Sequence, residues 1–361
     1  MSNPKKIAQG SSCQVKDMGG QAVMEGVMMR SGNATAVTVR RPDGTMVVQR
    51  TPFIAPKEKH PWMGKPFIRG VVNMATMLYF GMNTLESSTK MLGIMDEEPT
   101  RFEKWLAKKL GKGTDKVVMG VAIVLAVILS LGLFMALPAA VESLLKSAGM
   151  GPLGYTLIGG VVKILILVGY MIAVSFVPEV RRTFQYHGAE HKSVHCYDSP
   201  LELTPENAKT FSRLHPRCGT AFLLIVFLVS ILLFLVLNIL VPIGNFFLRF
   251  LFHLAMLPIV AGVSYEVLMG LAHSNSRIAH ILRWPGLQMQ RLTTREPDRS
   301  MLECAIVSVN VVLHGLPEHA EKTPEGWAIL HDYRESEKGY VPPAPADEEA
   351  GEPAEGEDSV G

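Results

Sequence analysis

Four long apolar runs dominate the pattern of hydrophobic and polar positions along this chain. They cover residues 117–141, 154–177, 220–241 and 250–272. Because a helix of about 20 apolar residues crosses the hydrocarbon core of a bilayer, each run is long enough to span a membrane. Pro258 lies inside the fourth run and predicts a kink there. The pattern therefore predicts a mostly α-helical membrane protein with four transmembrane helices.

The loops between these runs differ in their content of lysine and arginine. Basic residues are concentrated before the first run, between the second and third, and after the fourth, whereas the two remaining loops hold one each, Lys146 and Arg249. Loops rich in lysine and arginine stay in the cytoplasm. We therefore expect a multi-pass protein of the cell (inner or plasma) membrane, with both termini and the loop 178–219 on the cytoplasmic side.

A segment with strand character precedes the apolar runs. Residues 33–52 hold two stretches rich in valine and threonine on either side of the turn sequence Pro-Asp-Gly, which predicts a β-hairpin. Residues 19–30 mix glycine with methionine and are compatible with either a strand or a close crossing of the backbone. The sequence thus predicts a cytoplasmic α+β cap beside the membrane helices.

Residues 66–95 show a helical period. Their polar residues fall on one arc of a helix, opposite the apolar ones: Arg69, Asn73, Asn83, Glu86 and Lys90. This arrangement predicts an amphipathic helix on the membrane or against the bundle, and the alternative is a core helix of a soluble domain. Two later helices have recognisable starts, since Thr204 can cap a helix with Pro205 at its first position, and another is expected to begin near Asp298.

These patterns divide the chain into five parts. Residues 1–65 form a cytoplasmic N-terminal part with the hairpin, and residues 66–115 form the amphipathic helix and a basic linker. The transmembrane domain covers residues 116–272, and a cytoplasmic C-terminal part covers residues 273–340. Residues 341–361 are an acidic tail without a basic residue, rich in proline, alanine and glycine, and we expect it to be disordered.

Composition and short motifs argue against several classes of protein and binding site. Hydrophobic residues make up 48% of the 361 positions, and the net charge is only +2. Outside the acidic tail the basic excess fits loops that face anionic lipid headgroups, so we expect the lipid bilayer and no nucleic acid as a partner. The four cysteines show no C-x-x-C spacing, which argues against a disulfide framework or a cysteine-only zinc site. The chain has neither a P-loop nor a dinucleotide fingerprint, and its N-terminus lacks the apolar core of a signal peptide.

Candidate chemistry is concentrated in residues 181–198, which read RRTFQYHGAEHKSVHCYD and follow the second apolar run. On a helix, His187 and His191 lie one turn apart on one face, which is how a helix offers two nitrogens to one zinc ion. Glu190 lies on the flank of that face, so the pattern H-x-x-E-H inverts the H-E-x-x-H of zinc proteases. It predicts two metal ligands and a catalytic glutamate that accepts a proton from water.

A catalytic zinc needs a third protein ligand, and the sequence leaves its identity open. His195 is the local candidate and Glu266 the distant one, since a carboxylate inside a membrane helix is costly and marks function. Further candidate residues are His215, Cys218 and Lys163. The alternatives are a solvated polar helix at the bilayer surface and, for Glu266, a hydrogen bond within its own or to a neighbouring helix. Zinc is the expected divalent metal, with iron or manganese as alternatives.

Several stretches together resemble one known family. They are GGQAVMEGVMMR (19–30), VRRPDG (39–44), PFIRGVV (66–72), FQYHGAEHK (184–192), HPRCGT (215–220), SYE (264–266) and LQMQRLTTREPD (287–298). Over about residues 16–315 the chain is similar to the YqhQ-like family of bacterial and chloroplast membrane proteins, a domain of unknown function labelled a predicted metal-dependent enzyme. The resemblance implies a multi-pass membrane protein with a metal site on His187, Glu190 and His191, and it implies no substrate.

Three functions are compatible with these features. The first is a metal-dependent hydrolase at the cytoplasmic face, acting on a membrane lipid or a membrane protein. The second is a non-catalytic scaffold or assembly factor whose cap recruits partners. The third is a small transporter in which Lys163 and Glu266 line a path. The size of the cap favours the first two.

Overall fold

The computed structural model describes residues 18–93 and 114–341, apart from positions 216, 217, 242, 244 and 275. Residues 1–17, most of the predicted basic linker and the predicted disordered tail from residue 342 onward lie outside the described residues. The described part is mostly helical and carries an antiparallel β-sheet built largely from its N-terminal part. The predicted combination of a helical protein with a β-hairpin is confirmed at this level.

In the described residues, six strands form one antiparallel sheet. Its first four follow one another in space as in sequence: β1 (Met18–Val23), β2 (Gly26–Ser31), β3 (Ala34–Arg40) and β4 (Met46–Pro52). β3 and β4 form the predicted hairpin around Pro-Asp-Gly, and residues 19–30 form a second hairpin. Two short strands from the far C-terminal part extend the sheet beyond β4: β5 (Glu321–Lys322) at the edge and β6 (Ala328–Leu330) between them.

The helices follow one another along the rest of the chain. They are α1 (Pro56–Lys59), α2 (Ile68–Leu92), α3 (Thr114–Leu131), α4 (Leu137–Ser147), α5 (Pro152–Val174), α6 (Pro178–Tyr197), α7 (Pro205–Lys209), α8 (Thr220–Leu240), α9 (Phe246–Ala255), α10 (Leu257–His273), α11 (Arg277–Thr293) and α12 (Arg299–His314). A π turn at Gly132–Ala136 joins α3 to α4. The predicted cap is confirmed, since the side chain of Thr204 accepts a hydrogen bond at the start of α7. Helix α12 begins next to Asp298 as predicted, and the side chain of Asp298 caps it.

Helix α12 lies on one face of the sheet and forms the core of the cap. Its Leu302 and Ile306 are buried together with Met29 and Met46 of the sheet. Helix α6 joins the same cluster through Tyr186. Because burial of each large apolar side chain stabilises the fold by about 1.5–3 kcal/mol, this shared core holds α6 firmly beside the sheet.

The prediction of four transmembrane helices needs correction. Two helical segments are long and apolar enough to cross a membrane, Ile123–Ser147 and Pro152–Val174. The first runs through α3 and α4, and the second is α5. Helices α8 and α10 lie where a third and a fourth span were predicted, and the apolar stretches of their described residues are shorter, Leu224–Leu237 and Leu257–Leu271.

The fourth apolar run is interrupted rather than kinked. Helix α9 ends at Ala255, Met256 lies between the helices, and Pro258 stands in the first turn of α10. Proline fits the first turn of a helix because the backbone N–H that it lacks has no partner there anyway. The predicted single helix is therefore two helices, and neither reaches the length of a full span.

Helix α2 is the predicted amphipathic helix, but it buries mostly small and polar residues and exposes large apolar ones. Most of its buried residues, on the side toward the sheet and α10, are small or polar: Gly70, Gly81, Thr84 and Ser88. Its exposed residues include large apolar ones: Met77, Leu78, Tyr79 and Met82. A core helix of a soluble domain has the opposite distribution, so the structure does not support that alternative.

Candidate metal centre

Helix α6 carries the histidine motif and is held inside the cap. It begins at Pro178, shortly after α5 ends. Tyr186 and Ala189 pack into the core cluster beside the sheet. Gly188 approaches the backbone so closely that a methyl group added there would lie 2.1 Å from the carbonyl oxygen of Arg295. The motif therefore lies on a buried helix, not on the solvated surface helix of the alternative interpretation.

His187 and His191 lie side by side, as their spacing predicts, with ring centroids 4.4 Å apart. The Nδ1 atom of His187 lies 2.9 Å from the carbonyl oxygen of Thr293, and that of His191 lies 2.5 Å from the carbonyl oxygen of Arg213. A carbonyl oxygen can only accept a hydrogen bond, so each neutral ring carries its proton on Nδ1 and presents a lone pair on Nε2. Such outer hydrogen bonds orient histidine ligands in metal sites.

Cys218 joins these two histidines to form a group of three. Its Sγ atom lies 3.3 Å from Nε2 of His187. One ligand atom from each of the three residues lies within 4.8 Å of the others. Nε2 of His191 is buried and has no hydrogen-bond partner among the described residues. Buried polar atoms without a partner are rare and costly, and a metal ion would satisfy this one.

The three ligand atoms suit zinc. Bond lengths of about 2.0–2.1 Å to nitrogen and about 2.3 Å to sulfur place neighbouring ligands of a tetrahedral site roughly 3.4–3.6 Å apart. The 3.3 Å between His187 and Cys218 fits this value, and the 4.8 Å limit of the whole group requires the side chains to close by about 1.4 Å at most. Two imidazoles and a thiolate also favour zinc over magnesium or calcium.

Glu190 lies against the sheet and outside this group. Its side chain is buried beside Gly20, where an added Cβ would come within 2.9 Å of the carboxylate carbon. Burial raises the pKa of the Glu190 carboxyl to about 7, while a charged His187 and the backbone N–H of Gly20 oppose the shift. One carboxylate oxygen, Oε2, has no hydrogen-bond partner in the described part of the chain. A buried carboxyl with such a pKa can exchange a proton with water near neutral pH.

His195 lies further along the row of rings and does not join the group. Its Nε2 atom lies 3.1 Å from the carbonyl oxygen of Leu214, and its ring stacks on Phe211. His215 stands between, with ring centroids 4.4 Å from His195 and 5.6 Å from His191. Two turns of helix separate the first histidine of the motif from His195, which carries the third ring away from a shared ion.

Glu266 and Lys163 lie in other environments. Arg69 donates to both carboxylate oxygens of Glu266, at 2.8 and 2.6 Å. The backbone N–H of Phe67 donates to the same carboxylate at 3.1 Å. This is the hydrogen-bonded alternative for Glu266, and the neighbouring helix is α2, at its first turn. The Nζ atom of Lys163 lies 5.3 Å from the ring centre of Phe234.

The third member of the group is therefore Cys218, which was only a further candidate in the sequence. His195 and Glu266 were the two leading candidates for the third ligand. His195 contacts the carbonyl oxygen of Leu214 and Glu266 contacts Arg69, and neither belongs to the group of His187, His191 and Cys218. The reason is that Cys218 approaches His187 from a loop 31 positions away along the chain. Its position within the stretch HPRCGT was the signal available in the sequence.

Two buried side chains that the sequence analysis missed hold this loop in place. Lys192 donates to two backbone carbonyls of the loop, at 2.8 and 2.9 Å. The Gln290 amide binds both the N–H and the carbonyl oxygen of His215, each at 2.8 Å. These bonds position the segment that carries Cys218 and the carbonyl of Arg213. No pattern of residue types in the sequence indicates them.

Comparison with known proteins assigns the family. Residues 65–315 match the family DUF1385, described as a protein of unknown function. The chain belongs to this family. It is also 33% identical over 301 residues to the Uncharacterized protein YqhQ of Bacillus subtilis (strain 168), an alignment that covers 82% of this chain and 92% of that relative. No solved structure matches the chain. The resemblance found in the sequence is thus confirmed, and the three clustered residues lie within the DUF1385 region.

Proposed function

We propose that this protein is a membrane-embedded metal-dependent hydrolase with its centre at the cytoplasmic face. The observation that carries the proposal is the state of the two histidine rings. The Nδ1 atoms of His187 and His191 bind backbone carbonyls, which leaves their Nε2 atoms for a ligand beside Cys218. Three protein ligands with a fourth position left open are the arrangement of catalytic zinc sites, whereas structural sites use four.

In this proposal His187, His191 and Cys218 would hold the ion, and Glu190, next to His191 on the same helix, would act as the base. A zinc ion bound there would supply Lewis-acid chemistry, lowering the pKa of water and polarising the bond to be cleaved. Glu190 would supply the proton transfer, with Oε2 accepting a proton from water and returning it to the leaving group. The support for this role is that Oε2 is buried without a hydrogen-bond partner in the described part of the chain.

Exposed apolar surface supports the membrane placement. Large apolar side chains of α3 and α5 are more than half exposed, among them Leu125, Ile128, Leu129 and Leu165. Soluble monomers rarely expose apolar patches of large extent, whereas a bilayer covers such a surface. We assign α8 and α10 to the same layer, since α8 packs on α5 and α10 packs on α8. The basic loops orient α6 and the cap toward the cytoplasm.

The position of the site suggests the class of substrate. Helix α6 begins four residues after α5 ends, and His187 lies nine residues into α6, about 14 Å along the helix at 1.5 Å per residue. A centre this close to the proposed membrane surface reaches a lipid headgroup or a membrane-protein segment at the cytoplasmic leaflet. A non-catalytic scaffold is the alternative function.

Metal analysis tests the proposed ligands. The wild type and its variants are purified without added metal and without an affinity histidine tag, and zinc is measured by elemental analysis. We expect about one zinc per chain in the wild type, and loss of zinc in His191→Ala and Cys218→Ser. His195→Ala and Cys196→Ser are matched controls and should retain it, because both residues lie on α6 outside the group. If the wild type contains no metal, the metal-dependent hydrolase proposal is refuted and the non-catalytic scaffold remains as the function.

Glu190→Gln separates the catalytic role from metal binding. This variant should keep zinc and lose hydrolysis, because an amide cannot accept the proton from water. Hydrolysis is measured on phospholipids, membrane-anchored peptides and simple esters in detergent micelles, with and without a chelator. If Glu190→Gln loses zinc, the glutamate is a ligand. If the zinc-loaded wild type cleaves no member of the panel, the hydrolase proposal fails.

A further inference from the structure

A second candidate site lies in a cavity of about 390 Å³ on the cap. The turn between β1 and β2, the β3–β4 hairpin and α6 border it, and these are three of the stretches that carry the family resemblance. Arg40, Arg41 and Arg182 line the cavity, and Glu25 is the single carboxylate among its lining residues. None of these four residues belongs to the proposed metal centre.

Several N–H groups of the three arginines have no partner among the described residues. Nε of Arg40 is buried and unpaired, whereas its terminal nitrogens donate to the carbonyl oxygens of Gly44 and Ser300 and to the carboxylate of Glu303. Arg41 donates through Nε to the carbonyl oxygen of Met91 at 2.9 Å, which leaves both of its terminal nitrogens available. Arg182 uses Nε and one terminal nitrogen on Glu25, which leaves the other. Planar guanidinium donors in this number match the oxygens of a phosphate group, which accept paired hydrogen bonds.

The backbone at Glu25 supports a binding role for the cavity. Its φ is +49° in the turn between β1 and β2, a conformation that residues other than glycine rarely adopt. Arg182 binds both oxygens of its carboxylate, and the hydroxyl of Tyr186 lies 3.4 Å from one of them. Strained backbone of this kind persists where surrounding contacts enforce it, and it clusters at ligand sites. The held carboxylate in turn orients the guanidinium of Arg182.

We propose that this cavity binds a phosphate group, carried either by the headgroup of an anionic membrane lipid or by a free phosphate ester. Arg41 supplies the paired donors, and Arg40 and Arg182 flank them. The position of the cavity favours the lipid, because Leu92 at the end of α2 lines the cavity wall. The preceding turns of α2 expose apolar side chains such as Met82, which is 67% exposed and could contact lipid. The choice of lipid over free ester rests on the proposed membrane placement, whereas the phosphate site itself does not.

Calorimetric titration of the detergent-purified full chain tests the site. The probes are dioctanoyl phosphatidic acid, glycerol 3-phosphate and inorganic phosphate, with dioctanoyl phosphatidylcholine as the zwitterionic control. We expect one saturable site for phosphatidic acid. Tighter binding of phosphatidic acid than of glycerol 3-phosphate identifies a lipid ligand, and equal binding identifies a free phosphate ester. If none of the three phosphate probes binds, the proposal is wrong.

Three variants locate the binding in the cavity. Arg41→Gln should weaken binding about tenfold or more, because paired hydrogen bonds from a charged donor are lost. Arg50→Gln is the matched control, since it removes the same charge from an exposed position on β4 outside the cavity. Glu25→Gln should strengthen binding severalfold, because it removes the carboxylate that competes for Arg182. General loss of the fold cannot strengthen binding, and equal affinities of Arg41→Gln and Arg50→Gln would overturn the site.

A further titration separates this site from the metal centre. Phosphate is also a ligand of zinc, so the experiment is repeated on His191→Ala, which should lack metal. Unchanged affinity supports the arginine cavity even if the hydrolase proposal fails. Loss of binding in His191→Ala would assign the phosphate to the metal centre and would overturn the proposal.

Discussion

Replacing Gly188 by alanine perturbs the contact that clamps α6 beside the metal centre. A Cβ atom there would lie 2.1 Å from the carbonyl oxygen of Arg295 and 3.4 Å from Cδ of Pro297. Because non-bonded heavy atoms pack at about 3.5 Å, the backbone at Arg295 must move away by roughly 1 Å or more. The N–H of Arg295 is also bonded to the carbonyl oxygen of Phe184 on α6, at 2.8 Å, so this movement strains a second contact.

The expected cost is the balance of two terms. Overpacking a tight contact costs about 1–3 kcal/mol, and it falls toward the upper end here because the opposing atom belongs to the backbone. Alanine regains about 1 kcal/mol relative to glycine inside a helix. We therefore expect Gly188→Ala to lose about 1–2 kcal/mol of unfolding free energy. The same displacement pulls the carbonyl of Thr293 away from Nδ1 of His187, now at 2.9 Å, so zinc retention should fall as well.

The assay combines thermal unfolding in detergent with elemental analysis of zinc. Gly169→Ala is the matched control, because Gly169 lies in α5 and an added Cβ there meets nothing within 4 Å. We expect the control to be at least as stable as the wild type and to hold the same amount of zinc. If Gly188→Ala matches the control in both measurements, the close contact with Arg295 does not position the site, and the clamp described for α6 is wrong.

Three further predictions concern the membrane part and the tail. A cysteine at Ser147 should react with an impermeant thiol reagent outside the cell and one at the exposed Asp198 should not; the reverse labelling would invert the topology. Glu266→Gln should lower the melting temperature, because it breaks the ion pair that joins α10 to α2, whereas Glu86→Gln, in an exposed pair within α2, should not. Removal of residues 344–361 should leave thermal stability unchanged, and a clear drop would show that the tail packs on the cap.

Elements with a local chemical signal could be predicted from the sequence. The Pro-Asp-Gly turn between stretches of valine and threonine specifies the β3–β4 hairpin. The side chains of Thr204 and Asp298 each accept the N–H three residues ahead, at 3.3 and 3.0 Å, and so start α7 and α12. Each of these signals acts between residues only a few positions apart, so the chain shows it before any tertiary contact is known.

Elements that depend on distant contacts could not be predicted in the same way. β6 pairs with β4 only after the whole helical part has intervened. Glu266 reads in the sequence as an isolated acid in an apolar run, and only the fold shows that Arg69, 197 positions earlier, binds it in two places. The break of the fourth run at Met256 has the same character. Pro258 signals an irregularity, but the neighbouring helices decide whether it becomes a kink or a new helix start.

The histidine motif depends both on local sequence spacing and on contacts with distant parts of the chain. The spacing of His187 and His191 is local, and it correctly predicts that the two rings share a face. Which nitrogen each ring presents depends on carbonyl oxygens 106 and 22 positions away, and the third donor comes from Cys218 on a separate loop. Every residue has a backbone carbonyl, so the residue types in the sequence do not show which carbonyl will fix the tautomer of each histidine. Because hydrogen bonds at Nδ1 fix the tautomer and orientation in which a histidine presents Nε2 to a metal, the distinction between a metal centre and a row of surface histidines depends on contacts that form only in the folded chain.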